Sequence, residues 1–474
     1  MTERIPKGVL IAGAILVPLV LAFFAYSQPG YFSSQPYLEG LLLIELLIAA
    51  VWMYRQVFFP VTLIAFLFAG SSLPVGGGWT VARWVVLGVG ALVGCVMILK
   101  DHRYHFGLFH VIAAFAILAA MVSSAVSRYQ SFALLKALSL LLLFLYGGTG
   151  ARLALAGREG RFFAGLLTGC EIFVGAMTAC YLVGLEVMGN ANSLGAVMGV
   201  VCAPVLLWGA LVSDNPSVHR RRIAVYVICM GLVFFSRSRA GIVAALVSCG
   251  LLCLASRKYK LFTVGLGAVT ILIATTAIAK PEVFSNTVSS VTSMVVYKGK
   301  DPALGLFASR QTPWQAAVES INNHFWFGTG FGTTDNGQDV GERLNQFSTN
   351  PGVTAENGSS YLAILTWVGM MGVVPFLFLV LALVAMVSRT LRWMFRTASL
   401  SHPAIPLAMV MVAGLIHAGF EDWLFAPGYY LCVFFWSMAF AFADVAPSAA
   451  LSRLATVWGS RPVGQRVADI AASR

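Results

Sequence analysis

Charge is what this chain has least of. Asp, Glu, Lys and Arg make up 11% of its 474 residues, while 59% are hydrophobic. Soluble domains carry roughly a quarter charged residues, so this scarcity excludes an ordinary water-soluble fold. Low-complexity tracts are missing, and so is any clear internal repeat, which argues against transporters built from inverted repeats. The eight cysteines (Cys95, Cys170, Cys180, Cys202, Cys229, Cys249, Cys253, Cys432) all fall in apolar runs. They offer no external pair for a disulfide and no metal-ligating spacing, so they read as small buried side chains. No small-residue cleavage site follows the first apolar run, which is read as a retained helix and not a signal peptide.

What is present is a series of apolar runs of membrane-crossing length. A helix needs about 20 mostly apolar residues to cross the hydrocarbon core. About fourteen spans are expected by that criterion: 8–26, 36–54, 57–75, 81–99, 106–125, 131–149, 162–183, 193–213, 222–235, 240–255, 261–279, 360–387, 404–418 and 427–443. The chain then divides into N-terminal transmembrane helices over 1–279, a long loop with short helices over 280–357, C-terminal transmembrane helices over 358–443 and a basic tail over 444–474. Residues 310–323 have helical apolar spacing (Trp314, Ala317, Val318, Ile321), which predicts a short helix on the membrane surface.

Orientation follows from Lys and Arg in the loops. With the N-terminus in the cytoplasm, about two thirds of the basic residues fall on the cytoplasmic side. Lys136 alone stands inside a span. The net charge of +12 is therefore mostly topology and attraction to anionic headgroups, and needs no nucleic acid. The long loop 280–357 faces outward.

The outer face collects an unusual set of residues. Arg237 and Arg239 stand in Ser236-Arg237-Ser238-Arg239-Ala240-Gly241, at a tight turn between two spans. Guanidinium groups at a membrane boundary either snorkel to the headgroups or meet an anion, and their planar fork suits phosphate. Arg310 adds a cation and Arg128 another, or the latter is an ordinary loop arginine. Glu356 precedes a span, and Glu421 and Asp422 lie between two apolar stretches. Each carboxylate is either a general base or the counter-ion of an arginine. His417, one turn before Glu421, is a base, an orienter or a hydrogen-bonded interior histidine. Glu39, Glu45 and Glu171 inside spans mark an ion path or structural pairs. Gly328-Thr329-Gly330-Phe331-Gly332 lacks the strand and the Gly-Lys-Ser/Thr ending of a nucleotide loop. Outward arginines with a carboxylate suit a lipid-linked pyrophosphate. The arginines would neutralise the departing pyrophosphate and a carboxylate would deprotonate the attacking hydroxyl, with no metal or cofactor required.

Five motifs in order resemble the O-antigen ligase and polymerase superfamily. They are Asn190-Ala191-Asn192-Ser193-Leu194-Gly195, Ser236-Arg237-Ser238-Arg239, Ser309-Arg310 with Trp314, Phe327 through Gly332, and Tyr361-Leu362 through Gly369-Met370-Met371-Gly372. The resemblance implies an all-α, GT-C-like polytopic integral membrane protein of about 12–14 transmembrane helices with one long external loop. It also implies an inverting, metal-independent glycosyltransferase acting on undecaprenyl-pyrophosphate glycans at the periplasmic face of the inner membrane. Arg239 (or Arg237) and Arg310 would bind the pyrophosphate. Asn192, Trp314, Tyr361 and His417 would support the site. Ligases of this kind carry His-Asn just before the Tyr-Leu pair, where this chain has Gly358-Ser359-Ser360. That departure favours a polymerase of O-antigen or exopolysaccharide repeats, with a chain-length regulator as a possible partner. It leaves Glu356 as the first choice of base and Glu421 as the second. A ligase acting on lipid A-core and a lipid-linked glycan transporter are the competing readings.

Overall fold

The computed structural model describes residues 59–71, 78–100, 106–185, 187–188, 191–259, 263, 308–333 and 358–447. Among them every regular element is helical. Among the described residues six helices are long and apolar enough to cross a bilayer, and the chain is a polytopic membrane protein. The expected spans 8–26, 36–54 and, but for residue 263, 261–279 lie outside the described residues, as do Glu39 and Glu45.

In chain order, α1 is Phe59–Ala69, α2 Gly78–Lys100 and α3 Leu108–Ala125. Helix α4, Gln130–Tyr146, continues through a π-helical turn, Gly147–Ala151, into Arg152–Leu155. Helix α5 is Glu159–Leu182. Helix α6, Ala191–Val197, passes through a second π turn, Met198–Cys202, into Ala203–Val212. Then come α7 Pro216–Phe235, α8 Arg239–Ala255, α9 Ala308–Asn323, α10 Ser360–Thr397, α11 Ala404–Ala418 and α12 Tyr430–Val445. Helices α7 and α10 are among those that exceed their expected spans. Helix α7 begins at Pro216, not 222, because the Asn215 side chain caps it and Pro216 suits a first helical position. Helix α10 runs to Thr397, not 387, because the basic last turns of a spanning helix can continue into headgroups and water.

Residues of α12 and α11 are almost all buried, and the other helices wrap them. Leucines and phenylalanines of α2, α3, α4 and α10 stay exposed, as lipid-facing side chains must be. Helices α6 and α8 approach closely over Gly195, Gly199 and Gly241. A Cβ on Gly199 would overlap the Gly241 carbonyl, and one on Gly241 would overlap that of Gly195. Small residues four apart permit such backbone contact within a membrane.

The connections sort charge between the two ends of the bundle. One end holds Arg152, Arg158, Arg161, Arg220, Arg221, Arg222, Arg257, Lys258, Arg389, Arg392 and Arg396 on helix ends and short turns. There Arg152, 2% exposed, makes a two-pronged ion pair with Asp444, both bonds 2.7 Å long. Glu171 pairs with Arg221 at 3.0 Å and Arg222 at 3.3 Å, which fits the structural-pair reading of that carboxylate.

The other end is shaped by a broken helix. Helix α10 is interrupted at Gly369, whose φ of 66° and ψ of −174° are not helical. The break strands backbone groups, and inside a membrane protein each needs a partner. The chain over 325–330 supplies them. Met370 N–H donates to Phe325 O (2.8 Å) and Met371 N–H to Trp326 O (3.1 Å). In return Thr329 N–H donates to Thr366 O and Gly330 N–H to Trp367 O, both at 3.0 Å. Helix α3 and the turn after it hold the loop from behind. Ser127 Oγ donates to Thr329 O at 2.7 Å, and Ser123 Oγ lies 2.8 Å from Phe327 O and 2.6 Å from Trp367 O.

Candidate active site

Four helix N-termini converge at the end where α10 is broken. They belong to α6, α8, α9 and α10, and each carries one of the residues below. Partial positive charge at helix N-termini favours an anion, and side chains of both signs are gathered there.

The centre is an ion pair. Arg310, on the first turn of α9, donates from Nη2 to Glu421 Oε1, and the two side chains are 11% and 13% exposed. Asn192 Nδ2, at the start of α6, reaches the same oxygen at 3.4 Å. Trp314, one turn after Arg310, donates its indole N–H to Gly358 O at 3.3 Å. A Cβ on Gly358, whose φ is 67°, would press on Trp314 at 3.1 Å and on Arg310 at 3.4 Å. The backbone of Glu421 is fixed as well. Its carbonyl accepts from Ser360 N (3.1 Å) and Ser360 Oγ (2.6 Å), and Ser360 Oγ accepts from Leu424 N at 3.0 Å. Ser360 thus ties the first turn of α10 to the turn between α11 and α12.

Arg239 is the first residue of α8, half-buried, behind the N-cap Ser238 whose hydroxyl accepts from Gly241 N at 3.3 Å. Ser236 and Ser238 pack against Gly195, so the Arg239 turn and the Asn192 turn are neighbours. The positive charges of Arg239 and Arg310 act on each other. Tyr361 donates from its hydroxyl to Leu415 O at 2.8 Å. His417 is 1% exposed, and Trp423 Nε1 lies 2.8 Å from its Nδ1. Tyr429 closes the other side, with its hydroxyl 3.3 Å from Ser193 Oγ.

The structure therefore brings together Asn192, Arg239, Arg310, Trp314, Tyr361, His417 and Glu421, with Asp422 half-buried in the same turn. It does not bring Arg128 or Arg237 to them. Arg128 is exposed, its guanidinium 5.8 Å from the Tyr129 ring centroid. Arg237 is exposed at φ 54°, as the left-handed residue ending α7, and its side chain makes no hydrogen bond or ion pair among the described residues. Glu356 lies outside the described residues. The glycine-rich segment 328–332 spends two of its amides on α10 and not on a ligand. Among the described residues no three of His, Cys, Asp and Glu come together as a metal site. Sequence reasoning missed Ser360 and Trp423. Neither carries a local signal, because each acts through a partner brought by the fold.

Residues 224–377 match the family model described as O-antigen ligase. The match covers less than half of the chain and supports a place in the O-antigen ligase and polymerase superfamily. That similarity supports membrane glycosyltransferase activity of the O-antigen ligase or polymerase type. The matched stretch contains Arg239, Arg310, Trp314, the glycine-rich loop, Tyr361 and Gly369, while Asn192, His417 and Glu421 stand outside it. No curated protein matches the chain.

Proposed function

We propose that this protein polymerises undecaprenyl-pyrophosphate-linked oligosaccharide repeats into O-antigen or exopolysaccharide. The observation that carries the reading is the convergence of Arg239 and Arg310 with Glu421 among four helix N-termini. Such a place stabilises a departing pyrophosphate, since negative charge develops there as the glycosidic bond to phosphate breaks. The basic end of the bundle faces the cytoplasm by the Lys and Arg rule, so the site opens to the periplasm, at the outer face of the inner membrane.

In the proposed reaction a carboxylate takes the proton of the acceptor hydroxyl. The resulting oxygen attacks the anomeric carbon of the donor with inversion. The bond from that carbon to the phosphate oxygen breaks, and the electron pair leaves on the pyrophosphate beside Arg239 and Arg310. The chemistry is inverting and asks for no metal. Glu421 Oε1 is engaged by both Arg310 and Asn192, which weakens it as a base and suits it to hold Arg310 in place between turnovers. That favours Glu356, two residues before Gly358, as the base. The absence of His-Asn before Tyr361 supports polymerase over ligase, and the gathering of arginines at one end supports transfer over transport.

Reconstitution tests this. Purified protein in nanodiscs receives its host's undecaprenyl-pyrophosphate oligosaccharide, with and without lipid A-core. A ladder of longer lipid-linked glycans is the expected product. Product formed only with lipid A-core makes the protein a ligase, and no covalent product in either case returns transport to the front. Arg239→Ala and Arg310→Ala should each abolish polymer at unchanged membrane protein level; normal polymer from both removes the pyrophosphate assignment.

A further inference from the structure

We propose that His417 donates a hydrogen bond from Nε2–H to an anionic oxygen of the donor pyrophosphate, as a neutral imidazole held in that form by Trp423. This rests on reading this end of the bundle as the place where a lipid-linked pyrophosphate departs.

The argument begins with what an indole can do. Its N–H only donates, so the Trp423 Nε1 that lies 2.8 Å from His417 Nδ1 must give its hydrogen to a lone pair there. The proton of the neutral ring therefore sits on Nε2. That nitrogen is buried and has no hydrogen-bond partner among the described residues. A buried donor left unmade is costly and calls for an acceptor. The neighbours do not supply one. Arg310, whose charge acts on the ring, presents donors only. The Oε1 of Glu421 is already taken up by Arg310 and Asn192. The group that completes Nε2 must bring its own acceptor oxygens, and in the field of Arg310 negative ones are favoured. Pyrophosphate oxygens meet both demands. The same geometry removes His417 as a general base, since protonating Nδ1 would break the bond to Trp423 and Nε2 is already protonated.

The test is spectroscopic first. Protein labelled with 15N-histidine is placed in nanodiscs, and the His417 resonance is identified, among seven histidines, by its loss in His417→Gln or His417→Phe. The expected ring is neutral with a bare Nδ1. Its Nε2 resonance should shift on adding inorganic pyrophosphate, and not on adding chloride at equal ionic strength. A charged ring, a proton on Nδ1, or an Nε2 indifferent to pyrophosphate because a buried water completes it would each overturn the proposal.

Binding gives the second reading. His417→Phe should weaken undecaprenyl-pyrophosphate binding on the order of 10- to 100-fold, the worth of a hydrogen bond to a charged group. His417→Gln, whose amide N–H reaches the place of Nε2, should recover most of it. Wild-type affinity in the Phe variant, or equal loss in both variants, refutes the assignment. The two proposals fail separately. A wild-type protein that binds pyrophosphate at His417 yet forms no glycosidic bond sinks the transferase reading alone. Normal product and normal affinity in His417→Phe sink this one alone.

Discussion

The docking of the glycine-rich loop into broken α10 makes a quantitative prediction. Gly328 and Gly369 face each other with φ of 71° and 66°. A Cβ on Gly328 would overlap the Trp367 carbonyl and Gly369 N, and one on Gly369 would overlap Gly328 N and Trp326 O. Backbone atoms have no rotamer by which to move aside. Gly328→Ala therefore incurs about 1–2 kcal/mol for a left-handed backbone and about 1–3 kcal/mol for overpacking. Against this stand four hydrogen bonds between loop and α10 and two more to the loop from Ser123 and Ser127, each worth about 1 kcal/mol net. The upper end of the cost approaches that total, so the loop should open measurably more often while the bundle stays folded. Hydrogen exchange reads this directly at the amides of Thr329, Gly330, Met370 and Met371, which should lose protection together. Polymer synthesis should fall with them, because the loop follows α9, which carries Arg310. Gly169→Ala is the control. That glycine lies within α5 with nothing within 4 Å of an added Cβ, so the change should be neutral or slightly stabilising. Wild-type protection of all four amides in Gly328→Ala would refute the docking argument.

Two further predictions concern the ends of the bundle. Ser360→Ala removes the hydroxyl that joins Glu421 O to Leu424 N and leaves the Leu424 amide buried without a partner; thermal unfolding in detergent should report a loss of about 1–3 kcal/mol, and an unchanged midpoint would contradict this. At the basic end, Asp444→Asn removes the charge partner of the 2%-exposed Arg152, which keeps its bond to Gly148 O, and should cost about 3 kcal/mol, whereas Arg152→Met should cost less, because Asp444 is 30% exposed and can be hydrated; the reverse order would refute the pairing argument.

Much of the architecture was legible in the chain because its determinants are local. An apolar run of about 20 residues must be helical in lipid, whatever its neighbours are. Arg310 and Trp314 could be placed on one helix face because they stand four apart. The clustering of basic residues at one end followed from counting them loop by loop. Helix ends were less legible, as α7 and α10 show, since a cap or a basic last turn extends a helix beyond its hydrophobic stretch.

The sequence by itself determined a polytopic helical membrane protein, its charged and less charged ends, and the short list from which the site is built. Tertiary structure alone decided which of those residues meet. Arg310 and Glu421 are 111 positions apart, and only the packing of α9 and α10 against the turn after α11 makes them partners, leaving Arg128 and Arg237 exposed. The break at Gly369 was equally hidden, because a glycine in an apolar run reads as helix until another segment arrives to take up its freed backbone groups. Hydropathy is a property of each segment, whereas an ion pair, a docked loop or a fixed tautomer is a property of two segments, and nothing within either one states that they will touch.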